Sequence, residues 1–206
     1  MSQPASVDYV FDFSSPFAYI GSRRIEAVAA RHGRRVHWQP ILLGAVFKVT
    51  GGAPLIDTPL KGPYTKHDLM RAAREHGTPF IWPDIFPISS VAASRATIWL
   101  RDNDDDALRA RTADFIHAVF AACYAENRDI SSPEVLATVA NALGLDADLM
   151  MAGMSDRVVK DRLRSDVAAA IEKGVFGTPT IFVDGEMFWG SDRIDQVDRW
   201  LERGGW

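Results

Sequence analysis

Residues 7–19 of the chain are VDYVFDFSSPFAY, and this stretch predicts a strand that runs directly into a helix. Its first half has an apolar side chain at every second position, which is typical of a half-buried strand. Pro16 suits the first position of a helix, and Gly33 suits the position just after its last turn. Residues 36–43, rich in Val, Trp, Ile and Leu, predict a second strand. The order strand–helix–strand indicates a parallel crossover unit.

The C-terminal part of the chain predicts a hairpin followed by a helix. Residues 180–189 are TIFVDGEMFW, with the turn-forming pair Asp184-Gly185 between two apolar runs. From residue 190 onward, apolar side chains three and four positions apart predict a last helix. The two ends of the chain are therefore expected to share one sheet.

The middle of the chain has a different character. Residues 44–63 contain four Gly and three Pro, which favours loops. Helical patterns then occur at residues 64–77, 89–101, 106–126, 133–143 and 156–174. The sequence thus predicts an α/β fold in two parts. Residues 1–43 and 175–206 form a discontinuous domain, and residues 44–174 form a helical insertion.

Composition excludes several classes of function. The chain has 206 residues, of which 47% are hydrophobic, and a net charge of −4. This charge disfavours nucleic-acid binding. No apolar run approaches the ~18 residues of a membrane span, and no signal-peptide pattern is visible, so a cytoplasmic protein without membrane contact is expected. The five histidines lack metal-ligand spacing. The single cysteine, Cys123, excludes an intramolecular disulfide and a CxxC pair.

Ser15 is the first candidate site residue, because it lies between the first strand and the first helix. In one interpretation it is only the N-cap of that helix and accepts a hydrogen bond from a backbone N–H. In the other, its hydroxyl faces an anion such as a thiolate, which the N-terminus of a helix stabilises. The local pattern leaves both interpretations open.

Three further candidates also have two interpretations each. The Thr178–Pro179 bond either belongs to an ordinary loop or is cis, and a cis bond would present the Thr178 N–H and C=O as a free peptide edge. Ser191 or Asp192 either caps the last helix or contacts a ligand, with Asp192 pairing with an ammonium group. Lys61 is either a solvated side chain or a cation for a ligand.

Several motifs resemble those of one family. Residues 11–19, FDFSSPFAY, resemble the opening of the 2-hydroxychromene-2-carboxylate isomerases and the kappa-class glutathione transferases. Residues 175–180, VFGTPT, and 188–193, FWGSDR, resemble the two C-terminal motifs of that family. Residues 39–44 and 60–64 resemble segments between them. The resemblance covers essentially the whole chain, and it implies a thioredoxin-like, DsbA-like fold with an inserted all-helical domain.

The resemblance also implies a site for glutathione as cofactor. Ser15 is then the catalytic residue and hydrogen-bonds the glutathione thiolate. The backbone of Thr178, before a cis Pro179, pairs with the cysteinyl part. Other expected contacts are Lys61 and, for the γ-glutamyl end, Trp189, Gly190, Ser191 and Asp192. One position departs from the kappa class, where an Asn stands in place of Gly52, so one ligand-binding amide is missing.

A DsbA-type enzyme has a CxxC motif where this chain has Ser14-Ser15-Pro16-Phe17, so dithiol exchange is disfavoured. The reactive sulfur is expected to come from glutathione, while Cys123 lies on an apolar helix face and is expected in the core.

The implied reaction is the isomerisation of 2-hydroxychromene-2-carboxylate to trans-o-hydroxybenzylidenepyruvate, a step of naphthalene-type aromatic catabolism. A thiolate adds to the conjugated system, a bond rotates and the thiolate leaves. The alternatives are a kappa-like glutathione transferase or peroxidase-like enzyme acting on other electrophiles, and a non-catalytic binding relative. A small aromatic substrate and a homodimer are implied by the resemblance alone. The aromatic residues Phe47, Trp82 and Phe86 could line a substrate pocket or belong to the core.

Overall fold

The computed structural model describes residues 6–206, so residues 1–5, on which the expectation of no signal peptide mainly rests, lie outside it. Four strands form one mixed sheet in the order β2-β1-β3-β4. They are β1 (Val7–Phe11), β2 (Val36–Pro40), β3 (Thr180–Val183) and β4 (Glu186–Trp189). The β1–β2 pair is parallel, whereas β1–β3 and β3–β4 are antiparallel. The two ends of the chain therefore share a sheet, as predicted.

The α-helices of the described residues lie mostly between β2 and β3 in the chain. They are α1 (Pro16–Arg31), α2 (Leu43–Thr50), α3 (Lys61–Glu75), α4 (Val91–Arg101), α5 (Asp106–Ala110), α6 (Thr112–Tyr124), α7 (Pro133–Ala142), α8 (Ala147–Met154), α9 (Arg157–Glu172) and α10 (Ile194–Arg203). None of the helices in residues 6–206 is long and apolar enough to cross a membrane. The division into domains at residues 43 and 175 stays a prediction.

The side chains of β1 contribute to two hydrophobic cores, because successive side chains of a strand point to opposite faces of the sheet. Tyr9 and Phe11 lie in the larger core with α1, α6 and α10. Val10 lies in a smaller core, where it is grouped with Val46 of α2 and Val167 of α9. The sheet is therefore covered on both faces around β1.

The predicted hairpin turn and the end of α1 are confirmed. Asp184 and Gly185 both have positive φ, 52° and 92°, which is the geometry of a two-residue hairpin loop. Helix α1 ends at its cap residue His32, and Gly33 follows with φ of 67°. A positive φ at this position is the usual way to close a helix.

Two boundaries differ from the prediction. Strand β2 ends at Pro40 rather than at residue 43, and the stretch expected to be a loop begins with helix α2. The cause is a contact from outside the segment, since the Leu43 N–H donates to Asp12 Oδ2 at 2.6 Å.

The helical block also has more helices than predicted. The pattern over residues 106–126 contains two helices, α5 and α6, separated at Arg111. The Arg111 guanidinium donates to Leu143 O at 2.8 Å, which anchors this break against the end of α7. Helix α8 was not predicted; Asp146 caps it by accepting from the Leu149 N–H at 2.9 Å.

Candidate active site

Ser15 stands where β1 turns into α1. Its N–H donates to Asp12 O at 2.9 Å, which closes a tight turn after the strand. Its φ of −98° and ψ of 109° are those of an N-cap, and its Oγ accepts from the Ala18 N–H at 3.2 Å. The capping role of Ser15 is therefore confirmed. The same position lies at the positive end of a 16-residue helix, so the cap and an anion-binding role are compatible.

The Ser15 hydroxyl links the first motif to the motif at Thr178. It donates to Thr178 O at 3.1 Å, although the two residues are 163 positions apart in the chain. The Thr178–Pro179 peptide bond is cis, as the resemblance implied. Among residues 6–206, no backbone acceptor receives the Thr178 N–H, and the Thr178 hydroxyl is buried without a partner. A free peptide N–H therefore lies beside Ser15, while the C=O of the same residue accepts from the Ser15 hydroxyl.

The third motif joins this edge through the backbone. The Gly190 N–H donates to Pro179 O at 2.9 Å, so the end of β4 is fixed to the cis-proline loop. Asp192, in the 3-10 turn Ser191–Arg193, has a side chain that is 72% exposed. Its nearest cation in the described residues is the Arg193 guanidinium at 3.7 Å, so the carboxylate is available to an external ammonium group.

The aromatic side chain of Trp189 lies beside the cis-proline loop. Its ring lies 4.8 Å from that of Phe176, centroid to centroid, and is 45% exposed. The indole also lies against Gly177, where an added Cβ would be 2.5 Å from Trp189 Nε1. Glycine at 177 thus makes room for the indole.

Lys61 is not joined to this group of residues. It is the exposed first residue of α3, and its side chain forms no hydrogen bond or ion pair with any residue from 6 to 206. The preceding Leu60 is 92% exposed and has φ of 65°. The Lys61 N–H donates to Pro59 O at 2.7 Å, which makes this a tight turn. The role of Lys61 stays a prediction.

Comparison with known proteins shows what this arrangement is similar to. Residues 6–202 match the family described as DSBA-like thioredoxin domain. The chain is 30% identical over 199 residues to 2-hydroxychromene-2-carboxylate isomerase of Pseudomonas putida, a match that covers 96% of this chain and 94% of that protein. The chain belongs to this isomerase family. The predicted family and the predicted DsbA-like α/β fold are thus confirmed.

Two further comparisons agree with membership of the isomerase family. A solved structure of 2-hydroxychromene-2-carboxylate isomerase superposes with a TM-score of 0.83 and 30% identity, covering 97% of this chain and 95% of that one. The glutathione S-transferase kappa 2 of Caenorhabditis elegans is 28% identical over 211 residues, covering 95% of this chain and 91% of that protein. The isomerase family and the kappa class are therefore both relatives along nearly the full length.

Sequence reasoning missed Asp12, which lies beneath the site in this member of the isomerase family. The residue is 2% exposed, and its carboxylate accepts from the Ser14 N–H at 2.8 Å and the Leu43 N–H at 2.6 Å. Burial raises the pKa of Asp12, although these hydrogen bonds oppose the shift. An Asp two residues before a turn N–H is a local signal that could have identified it.

Cys123 is buried in α6, as predicted for this isomerase-family chain. Burial raises the pKa of its thiol from 9.0 to about 12, so the thiolate is absent at neutral pH. Within residues 6–206, no group of three His, Cys, Asp or Glu side chains is placed to hold a metal ion. The described chain therefore offers neither a reactive thiol nor a metal centre of this kind.

Proposed function

We propose that this chain is a glutathione-dependent isomerase that converts 2-hydroxychromene-2-carboxylate to trans-o-hydroxybenzylidenepyruvate in naphthalene-type aromatic catabolism. The observation that carries the proposal is the contact between Ser15 and Thr178. It places a hydroxyl at the N-terminus of α1 next to a peptide edge whose N–H is free. Two relatives that are 30% identical over nearly the whole chain are named 2-hydroxychromene-2-carboxylate isomerase, which supports the same reaction.

The residues present fit glutathione. The free Thr178 N–H and its C=O suit the extended backbone of the cysteinyl part, which would bring the sulfur towards Ser15. The exposed Asp192 carboxylate, whose ion pair with Arg193 is as long as 3.7 Å, suits the α-ammonium of the γ-glutamyl end. Trp189, Gly190 and Ser191 are proposed to complete that end. Lys61 is proposed as a further glutathione contact, because its ammonium group has no partner in the described residues.

When bound, glutathione supplies a nucleophilic thiol that can add reversibly to a conjugated double bond and so permits rotation about it. The chain supplies the electrostatics. The Ser15 hydroxyl and the positive end of α1 favour negative charge at the sulfur, with the helix end contributing about 0.3–1 kcal/mol. Such surroundings lower the pKa of a thiol and raise its thiolate fraction at neutral pH.

The proposal is tested by calorimetry with glutathione and by an isomerisation assay with the chromene substrate, with and without glutathione. Ser15→Ala should lower turnover by roughly tenfold or more, on the scale of removing one donor to a developing charge.

Asp146→Ala is the matched control, because Asp146 also accepts from the third N–H of its helix. Each variant should lose about 1 kcal/mol of stability with its cap, and only Ser15→Ala should lose turnover. Absence of saturable glutathione binding, or equal turnover in the two variants, would contradict the proposal.

A second candidate is a kappa-like glutathione transferase, which the 28% identity to a kappa-class enzyme favours. Assaying the chromene substrate against a generic electrophile, each with glutathione, separates the two activities. An isomerase turns over the chromene and leaves total glutathione unchanged, whereas a transferase consumes glutathione.

The remaining expectations are part of the proposal. They are a cytoplasmic location, a small aromatic substrate and a homodimer, and light scattering tests the last of these.

A further inference from the structure

We propose that Asp12 is a positioning residue for the Ser15 site, because its carboxylate holds the turn that carries Ser15 together with the start of α2. The inference rests on the proposed glutathione site. Asp12 itself is buried and lies under the turn, so its effect would act through Ser15.

Within the turn, Asp12 holds the two residues that precede α1. Asp12 Oδ1 accepts from the Ser14 N–H at 2.8 Å, which is the hydrogen bond of an Asx-turn. Asp12 O accepts from the Ser15 N–H at 2.9 Å. The side chain and the main chain of Asp12 therefore fix the two residues immediately before α1, and with them the direction in which the Ser15 hydroxyl enters the site.

Asp12 also links this turn to the helical block. Leu42 is the N-cap of α2, and its side chain cannot accept a hydrogen bond. Asp12 Oδ2 takes that place, accepting from the Leu43 N–H at 2.6 Å. A carboxylate at the N-terminus of a helix is favoured by the helix dipole. The hydroxyl of Ser90, the N-cap of α4, also favours the charged form of this carboxylate. One carboxylate therefore joins the turn before α1 to the start of α2.

A merely structural role makes a different prediction, and Tyr124 provides the comparison. Its hydroxyl donates to Phe13 O at 3.0 Å, in the same turn, and its side chain is fully buried. Tyr124→Phe removes one buried hydrogen bond from the turn but leaves the N–H groups of Ser14 and Ser15 with their partners. Stability should fall, while the orientation of Ser15 should not change.

Two substitutions of Asp12 separate its contacts. Asp12→Ala removes both acceptor oxygens. Asp12→Asn keeps one oxygen for the Ser14 N–H, but its amide NH₂ is a donor and cannot accept from the Leu43 N–H. Asp12→Ala is therefore expected to have the larger effect on Ser15.

The experiment measures unfolding in urea, glutathione affinity by calorimetry, turnover, and the pKa of the bound glutathione thiol from the ultraviolet absorbance of its thiolate. Asp12→Ala should lower turnover by roughly tenfold or more, since a small misplacement of a reacting group costs that much. It should also raise the pKa of the bound thiol. The turnover and the thiol pKa of Asp12→Asn should lie between those of the wild type and Asp12→Ala. The turnover of Tyr124→Phe should stay within about twofold of the wild type.

The thiol pKa decides the question, because a loss of stability alone does not move it. If Asp12→Ala does not fold, the comparison of Asp12→Asn with Tyr124→Phe decides in its place. Equal thiol pKa and equal turnover in the folded Asp12 variant and Tyr124→Phe would overturn the inference. A wild type that binds no glutathione would refute the proposed function, and the inference with it, so the two failures are distinguishable.

Discussion

Gly190 shows how the site depends on single backbone positions. It joins β4 to the 3-10 turn with φ of 114°, a value that side chains with a Cβ rarely adopt. An added Cβ would lie 2.3 Å from Asp192 Oδ1. The position therefore controls both the turn and the location of the carboxylate proposed to bind the γ-glutamyl ammonium.

Gly190→Ala is expected to weaken glutathione binding by roughly tenfold or more, because it displaces a charged group from its ligand. Calorimetry measures this change. Gly33→Ala is the control, since Gly33 also has positive φ, 67°, but an added Cβ would meet nothing within 4 Å. That variant should lose stability through backbone strain of about 1–2 kcal/mol and keep its affinity. Equal affinities for the two variants would argue against a role for Asp192.

The buried thiol of Cys123 gives a prediction that depends on pH. Its pKa is raised from 9.0 to about 12 in the folded state. Above pH 9 the unfolded chain releases this proton while the folded chain retains it, so stability falls as the pH rises. At pH 10 the loss from this group should be about 1–2 kcal/mol relative to neutral pH.

Urea unfolding of the wild type and Cys123→Ala at pH 7 and pH 10 measures this loss. The control variant has no such group and should lose less stability over the same range. A thiol reagent should label native Cys123 only after denaturant is added. Rapid labelling of the native protein would contradict the burial.

Helix α3 begins against the 3-10 turn Leu55–Asp57. Gly62 makes this approach possible, because an added Cβ would be 2.2 Å from the backbone oxygen of Ile56. Backbone cannot move aside as a flexible side chain can. The start of α3, and with it Lys61, therefore depends on a residue without a Cβ.

Gly62→Ala should destabilise the protein by about 1–3 kcal/mol, as overpacking usually does. Gly44→Ala in α2 is the same substitution at a place where an added Cβ meets nothing within 4 Å. It should be neutral or stabilising by up to about 1 kcal/mol. Urea unfolding compares the two, and a similar effect in both would show that the approach to Ile56 O is not limiting.

Much of the fold could be predicted from the sequence, for reasons that are local. The alternation in β1, Pro16 at the start of α1 and the Asp184–Gly185 pair each act within a few residues. Helix α2 could not be predicted in this way. The acceptor for its first N–H is Asp12, 31 residues earlier in the chain, and its own segment starts with Leu43-Gly44.

In the candidate site, too, local features could be predicted from the sequence and contacts between distant residues could not. The capping geometry of Ser15 follows from its neighbours, whereas its contact with Thr178 spans 163 residues. No spacing rule predicts such a contact, and only the resemblance to a family brought the two motifs together. Asp12 had a local signal in the Asx-turn, but its second contact, with Leu43, depends on the tertiary fold.

Ion pairs join α1, near the start of the chain, to α10, near its end. Arg24 pairs with Asp195. Asp198 accepts from Arg31 at 2.7 Å and contacts His32 at 2.8 Å. These contacts, His32 first and then Arg31, hold the pKa of Asp198 below its ordinary value of 3.8.

Asp198→Asn should lower the free energy of unfolding at pH 7 by at most about 1 kcal/mol, because solvent screens this partly exposed group. A lowered pKa means that the stabilisation is present above pH 3.8 and is lost as the pH falls through the lower folded value. The two proteins should therefore become equally stable in strong acid.

Asp161→Asn is the control, since among residues 6–206 Asp161 pairs only within α9, with Arg157 and Arg164. Its effect at pH 7 should be smaller. Urea unfolding as a function of pH measures both variants, and a difference between Asp198→Asn and wild type that persisted in strong acid would contradict the role of this carboxylate.

The Ser15 hydroxyl can donate one hydrogen bond, and in this structure it donates to Thr178 O. A sulfur atom that accepted from this hydroxyl would replace a hydrogen bond already present, so the gain in free energy would be the difference between the two hydrogen bonds. Ser15 would then add little to ligand affinity and would show its effect in the ionisation of the sulfur. An inhibitor of this site would gain more from an acceptor placed on the free Thr178 N–H than from any group aimed at Ser15.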